Sequence, residues 1–337
     1  MPLDIKNDEP FIRNVEGLIN PGDSSDLFFF ASFRRWLPTA LFKRILYRTA
    51  RQFPHIGFVI EPYCLFLFFK NKDVAPAQAA LPSRFQLAKA KVFDADAPEY
   101  YYGMGIFGTR ASTFCGARLE SYLIAKDTVT GNTSWIFSDI LSNTLIATPK
   151  KGITAPNCRT AVHTTNSKGE IFIDFRQNNS DRKLSMKGNL TNAQMRPLEQ
   201  DLWIMGNTSI GHTKELSDGH DEPFAVIFDP AEVKQALDVP VQNLTMLANT
   251  LLPAWVDPAI GKSACFPFAQ HYIADSPGCG TPVANPEDMV AQYHRIAALV
   301  DPKTFSAQPI KRQFVFGLAL PVLACIILTI LLLQKGM

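Results

Sequence analysis

Apolar and polar positions divide the chain into three textures. The last is the most uniform: residues 314–333 read FVFGLALPVLACIILTILLL, twenty positions without a charge. At about 1.5 Å per residue, a helix of that length spans about 30 Å, the thickness of a bilayer core. A soluble helix rarely stays apolar on every face for so long. The run therefore predicts one C-terminal transmembrane helix, with Pro321 at a position membrane helices tolerate better than soluble ones.

Upstream, from residue 57, strand textures dominate. GFVIEPYCLFLFF is β-branched and aromatic and is broken at Pro62. FQLAKAKVF, YYGMGIFG, RLESYLIAKD, TSWIFSDI and TLIAT follow, separated by turn residues such as Asp73, Pro82, Pro98 and Thr130-Gly131-Asn132. Lys168-Gly169 between RTAVHTTN and EIFIDFRQ predicts a hairpin, and KLSMKGNL, DLWIMGN and FAVIFD add further strands. Helical spacing is confined to 38–52, to Ala231–Leu252 and to Pro286–Val300. Residues 1–32 are polar, then Phe-rich, and are expected to lie along the surface. No period of 20–50 residues repeats, and no linker interrupts the strands. The expected organisation is an N-terminal arm with a basic amphipathic helix (1–56), one α+β domain of mostly antiparallel sheet (57–310) and the anchor (311–337).

In 38–52, Leu41, Phe42, Ile45, Leu46 and Thr49 share one face, and Lys43, Arg44, Arg48 and Arg51 share the other. Such a helix either lies on an anionic membrane surface or covers the domain's own core with its basic face in water. Both readings stay open.

With 33 basic and 31 acidic residues in 337, the net charge is +2, which gives no support for a nucleic-acid partner. A chain 47% hydrophobic and 19% charged is not disordered. The six cysteines (Cys64, Cys115, Cys158, Cys265, Cys279, Cys325) stand far apart without a C-x-x-C pair, excluding a zinc ribbon or thioredoxin-like motif. The first ten residues, with three acids and one lysine, carry no export signal. Lys303, Lys311 and Arg312 precede the apolar run and only Lys335 follows it. The positive-inside rule then places the large domain in the cytosol or the equivalent compartment of an organelle, with reduced cysteines. N-x-S/T triplets at Asn132, Asn178, Asn189, Asn207 and Asn243 read, without an export signal, as loop composition.

Phosphate-binding, dinucleotide-binding, zinc-protease and nucleophile-elbow motifs are all missing, and no cofactor is implied. His212, Glu215, Asp218, His220, Asp221 and Glu222 crowd one polar loop, but their spacing fits no metal-ligand pattern. Cys265, His271 and Cys279 lack a fourth ligand. The chemically informative stretch is Pro149-Lys150-Lys151-Gly152 after an apolar strand. Adjacent ammonium groups disfavour each other, and a lysine that is also desolvated becomes a neutral nucleophile toward a ketone. Hydrated, the same four residues are an ordinary turn.

Around this stretch the sequence resembles the acetoacetate decarboxylase family. That family has an extended strand, an Asp…Ala…Leu-Pro segment, a Gly-x-x-x-Glu-Ser-like turn and then Gly-Arg-Glu-Leu-x-x-x-Pro-Lys-Lys. Here Leu65–Phe69, Asp73…Ala80-Leu81-Pro82, Gly116-Ala117-Arg118-Leu119-Glu120-Ser121 and Ser142-Asn143-Thr144-Leu145-Ile146-Ala147-Thr148-Pro149-Lys150-Lys151 follow in that order. The resemblance covers roughly residues 58–156. It implies a curved antiparallel sheet enclosing a pocket, Lys150 as Schiff-base lysine, Lys151 as its cationic neighbour and Glu120 as the active-site carboxylate. Two departures stand out: Ser142-Asn143-Thr144 replaces Gly-Arg-Glu, and near the first strand, where the family has another arginine, the chain has Glu61. Two function classes follow. One is a membrane-anchored Schiff-base carboxy-lyase on a small keto acid or a hydrophobic keto compound. The other is a non-catalytic accessory subunit that packs against other membrane subunits, its pocket vestigial or lipid-binding.

Overall fold

The computed structural model describes residues 9–33, 38–50, 55–111, 114–219, 222–275, 283, 285–303, 306 and 308–335. Three helices come first: α1 (Glu9–Gly17), α2 (Pro21–Phe33) and α3 (Thr39–Ala50). Strands β1 (His55–Ile60) and β2 (Cys64–Asn71) flank Pro62 as expected, and α4 (Val74–Ala80) begins at Asp73, whose carboxylate accepts from the Ala75 amide at 3.0 Å. Then follow β3 (Phe85–Leu87), β4 (Tyr101–Ala111), β5 (Cys115–Asp127), β6 (Thr133–Ser142), β7 (Ile146–Thr148) and β8 (Gly152–Thr154). The predicted hairpin forms β9 (Cys158–Thr165) and β10 (Glu170–Gln177), followed by β11 (Lys183–Asn189) and β12 (Gln194–Pro197). The remaining strands are β13 (Ile210–His212), β14 (Val226–Phe228), β15 (Gln235–Asp238), β16 (Leu244–Asn249), β17 (Val256–Phe266) and β18 (Gln270–Asp275).

Among the described residues, one large mixed sheet runs β12-β15-β17-β2-β4-β1-β18-β14, with β5, β6, β3 and β13 branching from β4. Its pairs are antiparallel except β6 with β13. Strand β4 exchanges partners along its length, pairing β2 through residues 101–106 and β1 through 109–111, while β5 follows its other edge throughout. That handover curves the sheet. A second sheet, β16-β11-β10-β9, lies against one face. Leu65, Leu67, Phe69, Met104, Ile106, Leu119 and Leu123 meet Ile171, Ile173, Phe175, Leu184 and Met186 there. The opposite face, carrying Cys64, Phe68, Tyr122, Ile124 and Trp135, packs on Trp203, α1 and a helix over Pro286–Ala297. Because both faces are covered, β2 reads as a continuous apolar run rather than an alternation. The α+β class and the large curved sheet agree with the sequence.

Three expectations are corrected. DLWIMGN is not a strand: Asp201–Met205 is a π-helical turn continued by Gly206–Thr208, begun where the Glu199 carboxylate accepts from the Leu202 amide at 2.8 Å. Ala231–Leu252 is not a helix. Its 3₁₀ turns at Pro230–Val233 and Val241–Asn243 are followed by β15 and β16, since Pro240 removes a donor mid-segment and Val239, Val241 and Thr245 are β-branched. The first thirty residues do not simply line the surface. Phe11 and Val15 of α1 are wholly buried, Phe11 stacks on Tyr293 at 4.4 Å, and Asn14 donates to the carbonyls of Ile296 (2.7 Å) and Leu299 (3.1 Å).

The C-terminal helix runs Gln308–Lys335. Its first turn is tied to α2: buried Asp26 accepts from Lys311 Nζ at 2.5 Å and from Gln308 Nε2 at 2.6 Å. Beyond that turn the described side chains are exposed, among them Phe316, Leu320, Val322, Leu323, Ile326, Leu328 and Leu331. Among the described residues no helix is long and apolar enough to cross a membrane. The expected transmembrane helix therefore does not stand as a structural finding.

Candidate functional site

Strand β5 lies between β4 and β6, and its alternate residues Arg118, Glu120 and Tyr122 share one face. Opposite Glu120 and Tyr122 on β4 stand Gly105 and Gly103, so no side chain from that strand competes for the space. The Phe66 ring occupies it instead: a Cβ on Gly105 would lie 2.9 Å from Phe66 Cε1.

Glu120 and Arg118 are 6% and 8% exposed, so their charges must answer each other. Arg118 Nε and Nη2 donate to Glu120 Oε1 at 2.9 and 2.7 Å, and Tyr122 Oη donates to Oε2 at 2.5 Å. Arg118 Nη1 donates to Thr144 Oγ1 (3.0 Å) and the Leu145 carbonyl (3.1 Å), with the guanidinium over the Phe114 ring. Burial, followed by the Glu120 charge, pushes the Tyr122 phenol well above its ordinary range. Burial also pushes up Cys64, which faces the same interior. Ser142 and Thr144 seal the end of β6. Ser142 Oγ donates to the Ala117 carbonyl at 2.9 Å and lies 2.7 Å from Thr144 Oγ1, while Asn143 Oδ1 accepts from the Ala117 amide at 2.8 Å. The segment that replaces Gly-Arg-Glu is thus the clasp that joins β5 to the next hairpin.

That hairpin, β7–β8, carries Pro149-Lys150-Lys151 at its tip. The turn needs Gly152, whose φ is +65°. Both lysines are exposed. Lys150 Nζ donates to the Glu215 carbonyl at 3.2 Å, and the Lys151 amide to Thr148 Oγ1 at 3.2 Å. The structure brings the two lysines together on one turn; no hydrogen bond or ion pair joins either of them to buried Glu120.

The chain is similar to acetoacetate decarboxylase. The match is to the crystal structure of that enzyme from Legionella pneumophila subsp. pneumophila str. Philadelphia 1, at 9% identity and a TM-score of 0.36, over 65% of this chain and 85% of that one. No protein-family description matches the chain, and no curated protein does.

Two features escaped the sequence reading. One is Arg118 as partner of Glu120, although Arg-x-Glu-x-Tyr on a predicted strand puts all three on one face. The other is a second charged cluster at Glu61. Arg110 of β4 donates to Glu61 (2.8 Å) and, through both terminal nitrogens, to Glu16 of α1 (2.6 Å each). His271 on β18 joins the cluster, 2.8 Å from Glu232 and 3.7 Å from Glu16. These residues come from five separate segments, and no local signal links them.

Among the described residues no three His, Cys, Asp or Glu side chains gather to hold a metal. His212 sits between Phe137 and Phe224, and desolvation pulls its imidazole down to about 4. His220, Asp221 and Cys279 lie outside the described residues.

Proposed function

We propose that this protein is a membrane-anchored, non-catalytic accessory subunit on a scaffold of the acetoacetate-decarboxylase kind. The observation that carries the reading is the placement of Lys150. A Schiff-base lysine must shed its proton, which takes a dry pocket. Lys150 is instead exposed to solvent at the hairpin tip and donates to the Glu215 carbonyl. The interior is closed in the complementary way. Glu120 has both oxygens engaged, and the Arg118 guanidinium is committed to Glu120, Thr144 and Leu145 rather than presented to a substrate carboxylate.

Anchoring draws its support from the uncharged run 314–333, set within a helix of 28 residues. As a helix, those twenty uncharged positions would span about 30 Å, the thickness of a bilayer core. Positions 320 to 331 are all exposed, among them the large apolar Leu320, Val322, Leu323, Ile326, Leu328 and Leu331. Gly317, Ala319 and Ala324 offer small faces for packing against helices of partner subunits.

Borohydride reduction of the full chain with acetoacetate or a longer β-keto acid tests the reading. No added mass on the peptide containing Lys150 is expected up to about pH 9. Labelling of Lys150 that Lys150→Ala abolishes would establish the lyase instead. Extraction in mild detergent should yield the chain within a larger complex, and recovery only as a monomer would count against the subunit role.

A further inference from the structure

We infer that the Pro-Lys-Lys hairpin, α3 and the root of the C-terminal helix together form a basic collar that docks on the anionic headgroups of a lipid surface. The inference rests on the anchoring proposed above and adds the chemistry of the surface that the domain meets.

Leu27 and Ala31 of α2, Phe42 of α3, Leu145 and Ile153 form one apolar cluster. It fastens α3 and the β7–β8 hairpin to α2. Asp26, the neighbour of Leu27, holds Lys311 and Gln308 at the start of the C-terminal helix. One helix thus contacts the hairpin and α3 through Leu27 and Ala31, and the start of the apolar helix through the adjacent Asp26. Lys43 Cγ and the Phe42 ring approach to 3.6 Å of where a side chain on Gly152 would begin, so α3 lies directly over the lysine turn.

The charges around this root are unequal. Lys43, Arg44, Lys150, Lys151, Lys311 and Arg312 lie on these elements, with Asp23 and Asp26 on α2 and Glu215 and Asp218 in the loop that meets Lys150 and Lys43. Of these acids, Asp23 is buried, Asp26 is taken by Lys311 and Asp218 by Lys43, while Glu215 meets Lys150 through its backbone carbonyl. Arg44, Lys150, Lys151 and Arg312 remain exposed, beside Leu41, which is 46% exposed. Exposed cations flanking an apolar side chain, next to the entry of an apolar helix, match the boundary between headgroups and acyl chains. The lysine pair then has work to do without any imine.

The full chain is reconstituted into vesicles of phosphatidylcholine alone or with about 30 mol% phosphatidylserine, and tryptic cleavage is followed peptide by peptide. Cleavage after Lys150 and Lys151 should slow by about fivefold or more on anionic vesicles and recover in about 0.5 M NaCl. Cleavage after Lys168, in the turn of the second sheet, should not change. Arg44→Glu, at an exposed position, should reduce the protection to below about twofold without affecting vesicle capture. Equal cleavage at the lysine turn on both vesicle types, or protection that salt does not reverse, overturns the collar alone. Failure of neutral vesicles to capture the chain in flotation overturns the anchor itself.

Discussion

The buried pair on β5 supports a quantitative prediction. Replacing Arg118 by Met keeps much of the side-chain volume but leaves Glu120 charged, 6% exposed and with only the Tyr122 hydroxyl as partner. Two charge-assisted hydrogen bonds to Oε1 disappear, at 2.9 and 2.7 Å. Stripping one partner from a buried ion pair costs about 3–5 kcal/mol. For a domain of this size that is on the order of 10 °C in Tm. The assay is urea or thermal unfolding of the full chain in mild detergent, followed by far-ultraviolet circular dichroism. The double variant Arg118→Met/Glu120→Gln removes the orphaned charge and keeps an acceptor for Tyr122, so it should recover about half of the loss or more. A loss below about 1 kcal/mol for Arg118→Met would refute the reasoning. Water would then reach the pair, and the sealed interior on which the non-catalytic reading leans would be open.

Two further outcomes follow, one from the charged cluster beside α1 and one from the packing around Trp135. Burial lowers the His271 pKa, but the hydrogen bond and charge of Glu232 and the charge of Glu16 outweigh it and leave the value above the ordinary 6.5. Glu16 is held below its ordinary 4.5, first by its hydrogen bonds from Arg110. The histidine's contribution is full below about 6.5 and is lost as pH rises through its raised value, while that of Glu16 is present above about 4.5 and is lost as pH falls through its lowered one. Arg110, Glu61 and Glu232 complete the charges facing the contact, so α1 should be held best between those limits. Hydrogen exchange of residues 9–17 should be faster at about pH 8.5 than at about pH 5.5 after correction for intrinsic rates, and equal protection would refute the assignment. Gly206→Ala should cost about 3 kcal/mol or more, because a Cβ there lies 2.2 Å from Trp135 Nε1, which donates to the Leu202 carbonyl. Gly17→Ala, with nothing within 4 Å, is the matched control and should stay within about 0.5 kcal/mol.

Local chemistry made the strand framework legible. Pro62 separated β1 from β2, and Lys168-Gly169 marked the β9–β10 turn, because both signals act over a few residues. DLWIMGN misled because a short, unbroken apolar run is equally at home in a buried strand or a buried helical turn. Its fate was set by Glu199 and by the Trp203 indole reaching the Val92 carbonyl at 2.9 Å, a partner more than a hundred residues away. The same limit governed the site. The alternation that carries Arg118, Glu120 and Tyr122 was present in the sequence. Whether Lys150 faced a dry pocket or water depended on where α3 and the 213–219 loop came to rest, and no spacing along the chain encodes that.

The contact between Asn14 and the carbonyls at 296 and 299 also bears on the order of folding events. It joins positions more than 280 residues apart, and Phe11 finds its stacking partner only when Tyr293 arrives. The β9–β10 hairpin can close as soon as its own residues are available, but the interior beneath α1 stays open until the segment at 286–299 docks. Loop closure on that scale places this step late and makes it slow. Until it occurs, the apolar face of α1 and the sheet surface it covers are exposed together, and that surface is where a partly folded chain is most prone to aggregate.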